Sequence, residues 1–544
     1  MKNAKVLDCT LRDGAYLIDK TFGDPVIRGI IDGLVKSKID FIEIGFFQDD
    51  GFGPGKTVFK NSEDAKRFIP QDKHGCEFTV LADYSRYNVF ENLDECRKDS
   101  IDAVRECFFK HERFDALKYC KHIKEKGYKV FVQPVDILGY TDSELLEFIE
   151  EVNKIEPYSL SIVDTFGSMY QEDLHRIFEL IDHNLVSTCK IGMHSHNNMQ
   201  LSSALTQEFL RLSSNRRDCV VDGTICGMGR GAGNTPTELI IQYMNTHMDY
   251  DYNVDTFLDI IDNYMDNIRT RCTWGYSTPF FIAGCYSAHV NNIAYLMKKN
   301  SIRSKDIRYI LNKIGAIARK RYDYDLLENT YIDYLKSDFN DDKNIAELSR
   351  TIKGKSVLVI APGKTTTTEV SRIKEYIEKE NPIVIGINFI HNSIPMDYLY
   401  FSNTRRYEFW SNEKGFSEYK KIVTSNIAEE ERKNEIIVNF LNLIKVGNWE
   451  HLDNSTFMLL RLLDKLQPSK ISIAGLDGYD FEQTEHSNYA TKELEVTKFM
   501  ENSKLINEEI SEMLRDYLET RSSKNIPVSM ITTSRFSYLL QESL

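Results

Sequence analysis

Two short stretches, far apart in the chain, carry the residue types that hold metals. The first, Leu7-Asp8-Cys9-Thr10-Leu11-Arg12-Asp13-Gly14, follows a short apolar run and places Arg12 and Asp13 at the mouth of a strand. The second, Gly192-Met193-His194-Ser195-His196-Asn197-Asn198, again ends an apolar run. Histidines at i and i+2 of a strand point to one face. With one carboxylate they make an N/N/O set that binds a divalent cation and leaves positions open for substrate. Taken alone, His-x-His also describes an ordinary polar strand end. With the Arg12-Asp13 turn it reads as a centre of Asp13, His194 and His196. Such a set suits Mn²⁺, Mg²⁺ or Zn²⁺, with Mn²⁺ the preferred assignment, and the absence of a thiolate argues against structural zinc.

Those residues need a scaffold that brings them together. From Lys5 onward, β-branched runs near 5–9, 39–46, 76–82, 101–109, 128–134, 158–165, 189–196 and 218–225 alternate with helical patterns such as 24–36, 114–126, 143–155, 171–184 and 201–212. About eight β/α alternations over roughly 240 residues is the count and length of a TIM (β/α)8 barrel. A doubly wound open sheet is the alternative. In a barrel, chemistry sits at the C-terminal ends of the strands. Arg12 and Asp13 follow the first strand, Glu43 lies in the second, Asp164 ends the sixth, His194 and His196 the seventh and Asp222 the eighth. Glu43 is expected either to fix Arg12 or to be a simple barrel-interior ion pair. We expect the barrel over 1–250, a helical subdomain over 251–345 that completes the site or makes a dimer contact, a linker over 335–343, and a second, Rossmann-like α/β domain over 350–544.

Bulk properties narrow the class. The 544 residues exceed one ordinary core. A formal charge of −14 argues against a nucleic-acid-binding face. The ten cysteines show no paired framework and read as reduced thiols of a cytoplasmic protein. No apolar run approaches the ~20 residues of a membrane span.

After the eighth strand comes Asp222-Gly-Thr-Ile-Cys-Gly-Met-Gly-Arg-Gly-Ala-Gly-Asn-Thr-Pro236. Its glycines either let backbone N–H groups cradle an anion or simply serve a conformationally demanding loop. Thr10-Leu11-Arg12-Asp13-Gly14, His194-x-His196-Asn197 and Gly227-x-Gly229-x-Gly231-Ala232-Gly233-Asn234 together resemble the signatures of the DRE-type TIM-barrel metallolyases, the HMGL-like superfamily. Ala283-Gly284-Cys285-Tyr286-Ser287 is similar to a segment of its 4-hydroxy-2-oxovalerate aldolases. The resemblance covers about residues 1–335. It implies a divalent ion on Asp13, His194 and His196, Arg12 beside an enolate oxygen, Tyr286 as a substrate contact, and a 2-oxo acid and an aldehyde as reactants. The family's catalytic histidine falls where this chain has Tyr16. Tyr16, His289 or a metal-bound water are the candidates for its role. The expected activity is a metal-dependent aldolase; the alternatives are a Claisen-type acyl-CoA enzyme of the same superfamily and a catalytically retired binding barrel. A homodimer is expected.

In the second domain, Val357-Leu-Val-Ile-Ala-Pro-Gly363-Lys364-Thr365 resembles half a P-loop, with Leu358 where the first glycine belongs. Gly363, Lys364 and Asp477, each just past a strand pattern, are the candidate ligand-binding residues. A weaker resemblance to glycosyltransferase- or sialyltransferase-type domains implies a nucleotide-sugar there and a place in surface polysaccharide synthesis, against a noncatalytic or oligomerising role.

Overall fold

The computed structural model describes residues 4–297, 302, 304–335, 339–428, 432–445, 449, 453–480, 489–490 and 500–541. They form two compact units: Met1–Ala294 with Ile314–Asp323, and Tyr295–Lys313 with Tyr324–Leu544. The helical stretch expected over 251–345 is thus shared between them. Of the expected linker 335–343, residues 336–338 lie outside the described residues, and Asp342 opens the helix Asp342–Ile352. No described helix is long and apolar enough to cross a membrane.

In the first unit eight parallel strands close a barrel: β1 Ala4–Asp8, β2 Phe41–Phe47, β3 Glu77–Asp83, β4 Ala103–Phe108, β5 Lys129–Pro134, β6 Ser159–Asp164, β7 Lys190–Ser195 and β8 Cys219–Gly223. Closure comes from β1, which pairs with β8 on one side (Leu7↔Asp222) and with β2 on the other (Leu7↔Phe41). The strands are Val- and Ile-rich and buried on both faces, as an all-parallel sheet requires. Helices follow the strands, opened by local signals such as Pro25 at the start of Asp24–Lys36 and the Thr141/Glu144 capping box of Asp142–Ile155.

The two-residue period of a strand sorts the barrel interior into layers. Leu7, Phe41, Ala103, Phe131 and Val220 make a dry apolar layer toward the N-terminal end. Two residues further along their strands, the same face presents Glu43, Arg105 and Asp222, all buried. A register shift in β2 between Glu43 and Phe46 accompanies this change. Gly45 permits it: φ is +153°, and a Cβ there would lie 2.0 Å from the Thr57 carbonyl oxygen.

The second unit holds an open seven-stranded parallel sheet: β9 Ser356–Ile360, β10 Ile383–Ile387, β11 Tyr398–Phe401, β12 Lys420–Thr424, β13 Glu435–Val438, β14 Lys470–Ala474 and β15 Val528–Met530. Its order is β13-β12-β11-β10-β9-β14-β15, so the winding reverses between β9 and β14. Sequence reading misses β13, a four-residue edge strand beside a charged segment.

Arg105 is fully buried between Glu43 and Asp222. Removing its charge strands two carboxylates in a low-dielectric interior, so Arg105→Met should cost about 3–5 kcal/mol. Urea unfolding of the barrel transition reads this directly; a variant as stable as the parent would show that these carboxylates do not depend on Arg105.

Candidate metal centre

The short helix Thr10–Asp13 starts directly after β1 and turns Arg12 and Asp13 over the barrel mouth, both buried. Here six side chains close a ring. Asp13 Oδ2 accepts from Arg12 Nη1 at 2.8 Å, and Arg12 Nε donates to Glu43 Oε2 at 2.8 Å. Arg105 Nη1 donates to the same Glu43 oxygen at 3.0 Å, and its Nη2 to Asp222 Oδ2. Asp222 Oδ2 lies 2.9 Å from His194 Nδ1, and His194 Nε2 returns to Asp13 Oδ2 at 3.3 Å. Strands β2, β4, β7 and β8 and the turn after β1 each supply a member, so only the closed barrel assembles it.

A carboxylate can only accept, so His194 Nδ1 carries a proton toward Asp222 and Nε2 faces Asp13. Burial opposes charging His194, but the carboxylates on both ring nitrogens outweigh it and raise its pKa. His196 Nε2 lies 3.9 Å from the same Asp13 oxygen, with the two imidazoles nearly perpendicular at 5.1 Å. Burial first of all pushes His196 down to about 4, so its ring is neutral and one ring nitrogen keeps a lone pair for coordination. Burial favours the neutral form of Asp13, yet Arg12 and the two histidines hold its pKa well below the carboxylate range.

The donor set fits a divalent cation. Asp13 Oδ1 is buried without a hydrogen-bond partner. Three carboxylates face two guanidiniums around the ring, leaving one formal negative charge for a bound cation to offset. Asp222 holds His194 in the tautomer that offers Nε2. Cys9 Sγ also lies with the ligand atoms of Asp13 and His194, all within 4.8 Å of one another. Burial pushes the Cys9 thiol well above its usual pKa, and it donates to the Gly223 carbonyl at 3.3 Å.

The glycine run straps the histidine loop in place. Asn197 N–H donates to Gly233 O at 2.8 Å, Thr235 N–H to Ser195 O at 3.2 Å and Ala232 N–H to Asn198 Oδ1 at 3.0 Å. Gly233 has φ +84°, and a Cβ there would lie 1.9 Å from Gly227 O. Asn234 bridges to His196 through backbone and keeps a buried Oδ1 without a partner; it does not cap the following helix.

Residues 3–263 match the HMGL-like family. The oxaloacetate decarboxylase of Mycobacterium tuberculosis is 26% identical over 241 residues, 43% of this chain and 68% of that protein. The 4-hydroxy-2-oxovalerate aldolase of Carboxydothermus hydrogenoformans is 24% identical over 331 residues, 58% of this chain and 93% of that one. Among solved structures, the HMG-CoA lyase of Brucella melitensis aligns with 50% of this chain and all of its own at 13% identity and a TM-score of 0.39.

Around this centre, Tyr16 is half-buried, edge-on to Phe46 at 5.2 Å, with the Arg230 guanidinium 3.8 Å over its ring. Burial raises its hydroxyl pKa against the pull of Arg230 and Arg12. Tyr286 follows the helix Thr278–Cys285 and carries the Arg319 guanidinium 5.3 Å over its ring. His289 Nδ1 accepts the Asn291 N–H at 3.1 Å, so its proton sits on Nε2. Burial, Arg230 and His196 push its pKa down to about 3. In the second unit, Gly363, Lys364 and Asp477 flank the reversal between β9 and β14. Asp477 Oδ2 accepts the Thr365 N–H at 2.7 Å, where an anionic ligand's oxygen would otherwise bond, and Lys364 precedes that turn. Sequence reading missed Arg105, Arg230 and Arg319.

His194→Ala and His196→Ala should each abolish stoichiometric Mn²⁺ binding, counted by electron paramagnetic resonance, while Cys9→Ser should leave it intact. Loss in Cys9→Ser with retention in His196→Ala would assign the third ligand to sulfur instead.

Proposed function

We propose that the barrel is a divalent-metal-dependent aldolase that makes or breaks a carbon–carbon bond next to the enolate of a 2-oxo acid. The observation that carries this reading is the closed ring, which fixes Arg12 against Asp13 while leaving Asp13, His194 and His196 with donor atoms to spend. Held there, a divalent ion supplies Lewis acidity toward the oxygens of a 2-oxo acid. The chain's own groups do the rest. Arg12 cannot swing away, because Glu43 holds Nε and Asp13 holds Nη1. Its fixed charge therefore stands beside the site where negative charge develops on the enolate oxygen, at no cost in reorganisation.

Proton transfer falls to Tyr16. Its phenol is protonated at neutral pH, so in condensation it gives that proton to the acceptor's carbonyl oxygen as the new bond forms, and the phenolate left behind takes a proton back from solvent before the next turnover. His289 is neutral with its Nδ1 lone pair engaged, which makes its Nε2–H a hydrogen-bond donor rather than a base. The names of the two curated relatives, an aldolase and a decarboxylase, are served by one intermediate. In one the bond to an aldehyde carbon breaks; in the other the bond to a carboxylate does. Both leave the enolate.

Proton–deuterium exchange at the pyruvate methyl group, followed by NMR, isolates this step without any acceptor. We expect exchange with Mn²⁺, none after EDTA, and a fall of roughly 100-fold or more in Arg12→Ala, the scale of losing one preorganised charge. Tyr16→Phe should slow aldol turnover more than this exchange. Protein with bound Mn²⁺ that exchanges nothing would retire the enolate reading.

A further inference from the structure

Arg12 and Arg105 are spent on carboxylates, and Lys320 is neutralised by Asp136 at 2.6 Å. Two other guanidiniums on the same unit are not. The Arg230 guanidinium lies 3.8 Å over the Tyr16 ring, and among the described residues its side chain has no carboxylate partner and donates no hydrogen bond. Arg319 lies over Tyr286 and has a buried Nε without a hydrogen-bond partner.

The backbone beside Arg230 is unsatisfied in the same sense. Met228, Ala232 and Gly233 donate their N–H groups to Ile225 O, Asn198 Oδ1 and Arg230 O. The N–H groups of Gly229, Arg230 and Gly231 donate to nothing within the described fold, although Gly229 and Gly231 are buried. Buried backbone donors are nearly always paired, and a run of free N–H groups beside a guanidinium is an anion-binding concavity. The chain segments that carry the two arginines meet at residues 289–290. A Cβ on Gly231 would lie 3.0 Å from Val290 Cγ1, and the preceding residue, His289, donates its N–H to Arg319 O at 2.8 Å.

The carboxylate of a 2-oxo acid head belongs at the Asp13, His194 and His196 centre, and it leaves these donors unexplained. We infer that Arg230, the N–H groups of residues 229–231 and Arg319 form a subsite for a second anionic group, so that the substrate is a 2-oxo acid bearing a distal carboxylate or phosphate. The inference rests on the reading of the barrel as a 2-oxo acid enzyme and sets its substrate class.

Calorimetry on the Mn²⁺-loaded full chain tests it with a matched pair, 2-oxoglutarate and 2-oxovalerate, which differ only in a distal carboxylate against a methyl group. The dianion should bind at least tenfold more tightly, and that ratio should fall toward one in Arg230→Gln and in Arg319→Gln, as one charge-assisted contact is worth about that factor. It should also shrink as ionic strength rises from about 0.05 to 0.5 M. Inorganic phosphate displacing 2-oxoglutarate but not 2-oxovalerate would name phosphate as an accepted distal group; no displacement would restrict the subsite to carboxylate. Equal affinity for the pair, no binding of either, or a preference untouched by both substitutions overturns the proposal. If Arg230→Gln does not fold, Arg319→Gln and the salt series decide. Pyruvate methyl exchange on the same preparation separates the two readings: a dianion preference without exchange keeps the subsite and removes the enolate chemistry.

Discussion

Everything at the barrel mouth depends on one buried ring of alternating charge, Asp13–Arg12–Glu43–Arg105–Asp222–His194 and back to Asp13. Taking five formal charges out of water costs several kcal/mol for each ion, and only close geometry with satisfied hydrogen bonds offsets it. The dry layer of Leu7, Phe41 and Val220 beneath keeps water from competing. The ring is also unfinished: one carboxylate oxygen on Asp13 has no partner, and His196 offers a neutral ring nearby.

The same ring explains the division of labour among arginines. Arg12 and Arg105 are each fixed by two carboxylates, and that rigidity is what fits Arg12 for the enolate role proposed for it. Arg230 and Arg319 lie on aromatic faces, where stacking sets their position while their N–H edges stay available. Tyr16 stands between the two sets, within reach of the charge on both Arg12 and Arg230. Structural charge below and recruiting charge above is a coherent arrangement for a polyanionic substrate.

Much of this was legible in the chain. The β/α rhythm located all eight barrel strands to within a few residues, because strands buried on both faces are continuous apolar runs. Asp13, His194, His196, Glu43 and Asp222 were found because strand ends and strand positions are one-dimensional facts. Arg105 was not: in Val104-Arg105-Glu106 nothing local says which charge faces the barrel axis, and only the register with Ala103 does. Arg230 was hidden in a run that reads as flexible backbone. Arg319 is brought to Tyr286 by a return of the chain that no local pattern announces. The edge strand Glu435–Val438 was too short to register.

The central claim is that the ring holds a divalent ion which in turn holds a 2-oxo acid. Pulsed electron paramagnetic resonance on the Mn²⁺-loaded full chain tests both halves at once. The account predicts coupling to two imidazole nitrogens, and a new coupling when ¹³C-labelled pyruvate is added. Manganese coupled only to water, with or without pyruvate, would contradict it.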